Sequence, residues 1–349
     1  MPFHRLIVWA GALWMLALCG DVMAQDDTTL AQSVNGTGYR LGQGLPLGDT
    51  GFTLGGYGSA QWQTLEAAEP RIALSHFSLF LWWEGNGGFK FFSELDNEET
   101  QNDRDVDQDG RHYLSVERLY VDYSFSDALT LRAGKFLTPI GRWNQVHADP
   151  LVWTTSRPLL TREFFPDNAT GLMAIGVVNL LGQPLEYTAY LSGGAEVRPD
   201  PGQDPFTDAC GLRINLPLGS NLQLGFSAAS FRQADEVSVR KHLAGVDFMW
   251  TLHGYELSGE GIYRRAETSP QQLVKGAFVQ GVVPLGLHVS AVGRLEATSA
   301  LDQNDATRRR VLGLVYRPDR AWSIKFEAVR DSGAGIVSNG MLASASVLF

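Results

Sequence analysis

Charged side chains recur at alternate positions of apolar segments throughout the chain, and this placement is the main chemistry the sequence offers. Lys90 and Glu94, Arg118 and Asp122, Arg132, Asp247, Glu256 and Glu260, Arg294, Lys325 and Glu327 each fall on the polar side of a period-two pattern. Acids and bases set opposite one another on the wall of a water-filled passage create a transverse field that orients polar solutes and gives a weak ion preference. The same residues can instead neutralise one another in pairs, and for any single residue that is the commoner role. A second group, Arg142, His147, Asp149, Arg157 and Arg162, lies in a long aperiodic stretch, 137–169. Charges on such a stretch act on a passing solute at close range if it folds into a narrow cross-section.

Other chemistries lack their residues. His76, His112, His147, His242, His253 and His288 are scattered without metal-ligand spacing, so no metal or cofactor is expected. The sequence contains neither Gly-x-Ser-x-Gly nor a Gly-rich phosphate loop, and an enzyme is not expected. Asp103 to Gly110 has the spacing of an acidic calcium loop, but the bidentate Glu is missing at the right offset and Glu117 comes too late. The expectation there is a solvated external loop that binds divalent ions or lipopolysaccharide counterions loosely. A net charge of −10 excludes a nucleic-acid partner, which needs a basic surface.

The elements that must position these groups are strands. Beyond residue 50 the sequence breaks into alternating segments at 52–62, 71–84, 88–96, 113–125, 128–136, 170–180, 184–193, 208–217, 221–231, 240–251, 254–264, 271–283, 286–296, 308–317, 321–330 and 339–349. A soluble sandwich gives the same alternation. What separates the two is the parity of the connections, because short turns such as Ser126-Asp127, Leu252-His253 and Pro284-Leu285 alternate with long ones along the whole chain. Short turns at one end and long loops at the other, with both chain ends on the short-turn side, describe an antiparallel transmembrane β-barrel of about sixteen strands. The last segment places Met341, Ala343, Ala345, Val347 and Phe349 on one face. A terminal aromatic on such a strand resembles the signal read by the barrel-assembly machinery of the outer membrane.

The N-terminus sets the compartment. Arg5, the apolar run Leu6 to Leu18 and Val22-Met23-Ala24 form a secretory signal peptide over 1–24, too short to span a bilayer. A lipoprotein reading through Cys19 is disfavoured by the bulky Leu18 before it. After cleavage Cys210 stands alone, so no intrachain disulfide supports the fold. Residues 25–51 form a polar, glycine-rich periplasmic lead or an extra strand, and 52–349 form the barrel. The mean hydropathy of −0.09 agrees with this, since lipid-facing and lumen-facing residues cancel in the average.

At sixteen strands side chains cannot fill the interior, so an aqueous channel is expected unless a loop narrows it. The stretch 137–169 carries Trp143, Trp153, Phe164 and Phe165, too aromatic for a disordered segment, and is expected to pack inside rather than form an external lid. At its start, Arg132-Ala133-Gly134-Lys135-Phe136 followed by Pro139-Ile140-Gly141 resembles the strand-to-loop junction of the phosphate-selective porin O and P group, and Leu119-Tyr120-Val121-Asp122-Tyr123 resembles the strand before it. The resemblance implies a porin for small polar solutes or ions, assembled as a homotrimer among outer-membrane lipid and lipopolysaccharide. Members selective for phosphate carry ladders of lysine and arginine, and no lysine cluster stands here, so architecture is implied more strongly than solute. The glycine-rich strand 52–62 is a local candidate for close contact between barrels.

Overall fold

The computed structural model describes residues 39, 41–66, 69–85, 87–98, 113–180, 182–194, 196–199, 203–234, 238–267, 273–300, 306–333 and 339–349. The expected leader 1–24 and the acidic stretch 103–110 lie outside these residues.

Among the described residues, seventeen strands form one antiparallel sheet. A two-residue strand, β1 (Leu45–Pro46), pairs with β2 (Phe52–Leu65). There follow β3 (Arg71–Glu84), β4 (Phe89–Glu98), β5 (Tyr113–Ser126), β6 (Leu129–Leu137), β7 (Asn168–Leu180), β8 (Gln183–Ser192) and β9 (Phe206–Leu218). The second half comprises β10 (Leu222–Gln233), β11 (Lys241–Leu252), β12 (Tyr255–Ala266), β13 (Val274–Pro284) and β14 (Val289–Ala300). It ends with β15 (Thr307–Tyr316), β16 (Trp322–Ser332) and β17 (Gly340–Leu348). Each of the sixteen segments read from the sequence overlaps one of β2 to β17. Every strand pairs with its neighbours in sequence, and β17 returns to β2, with Ser346 opposite Ser59, to close a sixteen-stranded barrel. Closure removes the unpaired edges that an open sheet of this size would leave.

Burial along the strands is the reverse of a soluble sheet. Glu94, Arg294 and Lys325 are 0%, 1% and 1% exposed, whereas Leu312, Leu191 and Leu172 are 71%, 63% and 62% exposed. The buried charged and hydroxyl side chains therefore lie on the inner face, together with the apolar groups that pack there, and the exposed leucines lie on the outer one, the arrangement that an apolar surrounding selects. Among the described residues no helix is long and apolar enough to cross a membrane, which says nothing about crossing by strands. Cys210, on β9, is an exposed free thiol.

The chain end completes the closure. Phe349 N–H donates to Gly56 O at 2.9 Å, Gly56 N–H donates to Phe349 O at 3.0 Å, and the Phe349 ring stacks on Phe77 with centroids 5.9 Å apart. A Cβ on Gly56 would lie 2.1 Å from Ser78 O and 2.9 Å from the Phe349 ring. The glycine in this strand thus has an intramolecular use, receiving the terminal phenylalanine and the neighbouring β3 backbone.

Candidate functional site

Between β6 and β7 the chain leaves the sheet for residues 138–167, with no periodic pattern and only two single turns of helix, a 3-10 turn (Trp143–Gln145) and α1 (Leu160–Glu163). Its two limbs are clamped at the neck. Thr138 N–H donates to Asp167 O at 2.7 Å, Thr138 Oγ1 to Pro166 O at 2.8 Å, and Asn144 Nδ2 to the carbonyls of Thr138 and Asp167 at 2.8 and 3.0 Å. From the neck the loop turns inward at Gly141, whose φ of +65° is open to glycine and strained for other residues. Gly141 N–H then approaches Ser227 Oγ at 3.3 Å, and the next two amides, of Arg142 and Trp143, both donate to Glu260 Oε1 at 2.7 and 2.5 Å.

An irregular loop has no ladder to satisfy its backbone, and each buried N–H without an acceptor is costly. The inner wall supplies the partners. Glu327 accepts from the amides of Thr155 and Ser156 at 3.0 and 2.7 Å, Glu296 from that of Leu159 at 2.6 Å, and Glu256 from the Trp153 indole at 3.1 Å. Wall cations take the carbonyls. Lys325 Nζ donates to Asp149 O at 2.5 Å, Arg294 Nη2 to Ser156 O at 2.9 Å, and Arg317, in the short turn before β16, to Leu151 O and Val152 O at 3.0 Å each. Arg294 also donates to Thr154 Oγ1 and holds Glu296 at 2.7 Å. The loop that enters at the long-loop end thus reaches a turn at the opposite end, held along the way by charge-assisted bonds to β12, β14 and β16.

The loop charges singled out from the sequence divide in this setting. Arg142 is half-buried, donates from Nη1 to Gln223 Oε1 at 2.8 Å, and lines two recesses of about 120 Å³ each. His147 is buried, with Nδ1 3.3 Å from Asn144 O and Nε2 3.8 Å from Glu117. Burial, followed by the charges of Arg157, Arg118 and His76, pushes its pKa down to about 3, so it is a neutral packing group. Asp149 sits 2.8 Å from His76 Nδ1; burial opposes its ionisation, but His76, Lys325 and the Ser59 hydroxyl outweigh that and hold the carboxyl well below the usual range. Arg157 lies 3.7 Å from Asp167 within the loop itself. Arg162 is on α1, and its side chain is outside those described.

The wall residues read from the sequence also separate into two uses. Glu256, Glu260, Arg294, Lys325 and Glu327 hold the loop. On β4 to β6 the charges pair across neighbouring strands: Glu94 with Arg118 at 2.5 Å, and Asp122 with Arg132 through two bonds of 2.8 and 2.9 Å. Asp247 pairs with Arg213 through bonds of 2.6 and 2.9 Å. Lys90, near a short turn, is exposed and pairs with Glu84 at 2.9 Å. Sequence reasoning missed Glu296, Arg317, Ser227 and Gln223 as loop partners and set His76 aside with the scattered histidines.

Apolar packing completes the site. Ile140, Trp143, Leu160, Phe164 and Phe165 of the loop form one buried cluster with wall residues including Met173, Tyr190, Phe231, Leu243, Ile262 and Phe278. One sector of the interior, along β7 to β13, is therefore filled. Arg142, Trp143, Trp153, Phe248, Glu256 and Gln280 are among the groups around the first recess, and Arg142, Gln145, Glu186, Arg213 and Asn215 among those around the second.

No family model matches the chain. An uncharacterised protein of Aquifex aeolicus is 26% identical over 237 residues, 61% of this chain and 52% of that protein, so the match spans about half of the relative's length. Solved structures that resemble the fold include outer-membrane porins. The anion-selective porin from Comamonas acidovorans has a TM-score of 0.63 at 13% identity, over 85% of this chain and 99% of that one. OmpF of Salmonella typhi in complex with daunomycin has 0.64 at 8%, over 85% and 97%. A trimer form of OmpT, an outer-membrane protein of Vibrio cholerae, has 0.58 at 11%, over 85% and 99%. At these identities the likeness is one of fold.

Proposed function

We propose that this chain is a porin of a Gram-negative outer membrane, a channel in which small polar or ionic solutes, anions among them, diffuse passively past the 138–167 loop. The observation that carries this reading is the inverted burial of the strands together with a loop bound across a charged interior, an arrangement with no use in a solid soluble core. In this reading the loop narrows the passage and Arg142 is the loop charge nearest the moving solute. Residues 1–24 are the leader removed on export, and Phe349 is read by the barrel-assembly machinery. Outer-membrane lipid and lipopolysaccharide cover the outer face, and three copies associate as in the trimer form of the Vibrio protein. The kinship nearest to this picture is the phosphate-selective porin O and P group, without a commitment to phosphate. The role is non-catalytic.

A second reading is favoured by the apolar cluster, because Trp143, Phe164 and Phe165 packed on β7 to β13 are what a plug would present. Planar-bilayer recording of the refolded protein under a salt gradient separates the two. A porin gives steady conductance steps whose reversal potential moves toward cation preference in Arg142→Gln, with a smaller change in Arg157→Gln and none in His147→Asn. A folded barrel that passes no current supports the plug.

A further inference from the structure

The inner face of β3 to β6 carries a continuous strip of flat groups that the loop attachments do not use. Arg118 Cζ stands 4.6 Å from the Phe92 ring centre and 5.9 Å from that of Phe80, and Arg132 Cζ stands 3.6 Å over Tyr120. The rings themselves are in contact, Phe92 with Tyr120 at 5.5 Å in a stacked pair and Phe80 with Phe92 at 5.8 Å. Tyr120 also packs on the edge of the apolar cluster, which fixes the plane of the strip. Two wall acids set the guanidinium orientation: Glu94 takes Nε of Arg118, and Asp122 takes Nε and Nη2 of Arg132. That leaves both terminal nitrogens of Arg118 and Nη1 of Arg132 with no acceptor among the described residues, on side chains that remain 23% and 20% exposed.

We infer that this strip is the solute-contacting track of the channel and that it favours planar conjugated carboxylates, of which benzoate is the simplest, over compact or saturated anions. The inference rests on the channel reading and names its solute class. The open N–H groups of Arg118 and Arg132 donate to a carboxylate edge-on, while the edges of Phe92 and Tyr120, whose faces already carry one another and the two guanidiniums, meet the face of a flat ring. Acetate or phosphate engages only the N–H groups. A saturated ring of the same size is too thick to lie flat in the same contact. Because Glu94 and Asp122 already neutralise part of the cationic charge, the hold on an anion is weak, as passage requires.

The test is block of chloride current through the refolded, full-length protein in planar bilayers by benzoate, cyclohexanecarboxylate and acetate, with equilibrium dialysis of radiolabelled benzoate onto the detergent-solubilised protein as a second readout. Benzoate is expected to half-block at a concentration about fivefold lower than cyclohexanecarboxylate, the size of one aromatic contact. The double variant Phe92→Leu, Tyr120→Leu is expected to erase that difference, and Arg118→Lys to weaken both ring compounds alike. Equal block by benzoate and cyclohexanecarboxylate in the unaltered protein, or a difference that survives the double variant, overturns the inference while leaving a conducting porin. A barrel that binds benzoate in dialysis through Phe92 and Tyr120 but passes no current overturns the channel reading and leaves the strip as a binding surface. Retained resistance of the folded band to dissociation in unheated detergent shows that each variant is folded, and Arg118→Lys alone serves if the double variant is not.

Discussion

The Glu260 carboxylate occupies the space that a side chain on Gly141 would need: a Cβ built there lies 2.3 Å from Oε2, while Oε1 receives the two amides that follow Gly141 in the chain. One wall acid and one loop glycine thus fix the point at which the loop turns into the barrel.

Gly141→Ala adds this overlap to a positive φ that itself costs roughly 1–3 kcal/mol in a residue with a Cβ. The expected outcome is a barrel that still forms but a loop that detaches more often. Limited proteolysis within 138–167 should accelerate, and single-channel noise should rise. A cleavage rate equal to that of the unaltered protein contradicts the account of this turn.

Glu327→Gln removes an acceptor that serves two amides and points an amide group at one of them. Loss of a hydrogen bond to a charged group costs about 1.5–3 kcal/mol. Hydrogen exchange at Thr155 and Ser156 should therefore speed up roughly ten- to a hundredfold, with exchange in the strands unchanged. Equal acceleration throughout the barrel would mean that Glu327 supports the sheet instead of the loop.

The loop should also lose hold in acid, with a defined window. His147 in the packed loop stays neutral down to a pH of about 3, whereas a released loop takes up the proton near the ordinary histidine value of about 6.5. The released state binds more protons between these limits, so packing weakens by up to about 1.4 kcal/mol per pH unit as pH falls through the window and is constant above it. His147→Asn should flatten this slope in a pH series of loop proteolysis. Asp149 behaves oppositely: its depressed carboxyl contributes above about pH 4, and the contribution persists until pH falls through the lower, packed-state value. Asp149→Asn should then lower loop protection at neutral pH and keep the slope.

At the seam, Phe349→Ala removes the ring stacked on Phe77 but keeps both main-chain bonds to Gly56. A loss of about 1 kcal/mol and slower appearance of the folded band during insertion into lipid vesicles are expected. Gly56→Val should be worse, since its Cβ meets Ser78 O at 2.1 Å. Insertion at an unchanged rate in both variants would separate the seam from assembly.

Strand positions were legible because each signal is local: alternation along ten or so residues, then a turn. The tasks of the charged residues were not, because they depend on partners far along the chain. Glu260 meets amides more than a hundred positions earlier and Glu327 meets amides more than a hundred and seventy earlier. Alternation puts Glu256, Glu260, Arg294, Lys325 and Glu327 on the polar side of their strands as a set, yet it cannot tell an acid that faces solute from one that faces a loop backbone. For His147 the residue type suggested a charge near the passage, whereas its position between Asn144 and Glu117 makes it a buried neutral ring. A hint was available for the loop itself, since Gly141 next to Arg142 and Trp143 offers consecutive amides to an anion, and the walls are rich in carboxylates.

Attachment through main-chain groups has a consequence for how such a protein can diversify. Glu327, Glu296 and Glu260 grip atoms that every residue except proline at the amide possesses, so the course of the loop is written largely in the wall. Loop positions with exposed apolar side chains, such as Val146 and Leu151, can then be exchanged with little loss of position. In this architecture the frame carries the geometry, and the surface it displays is free to vary.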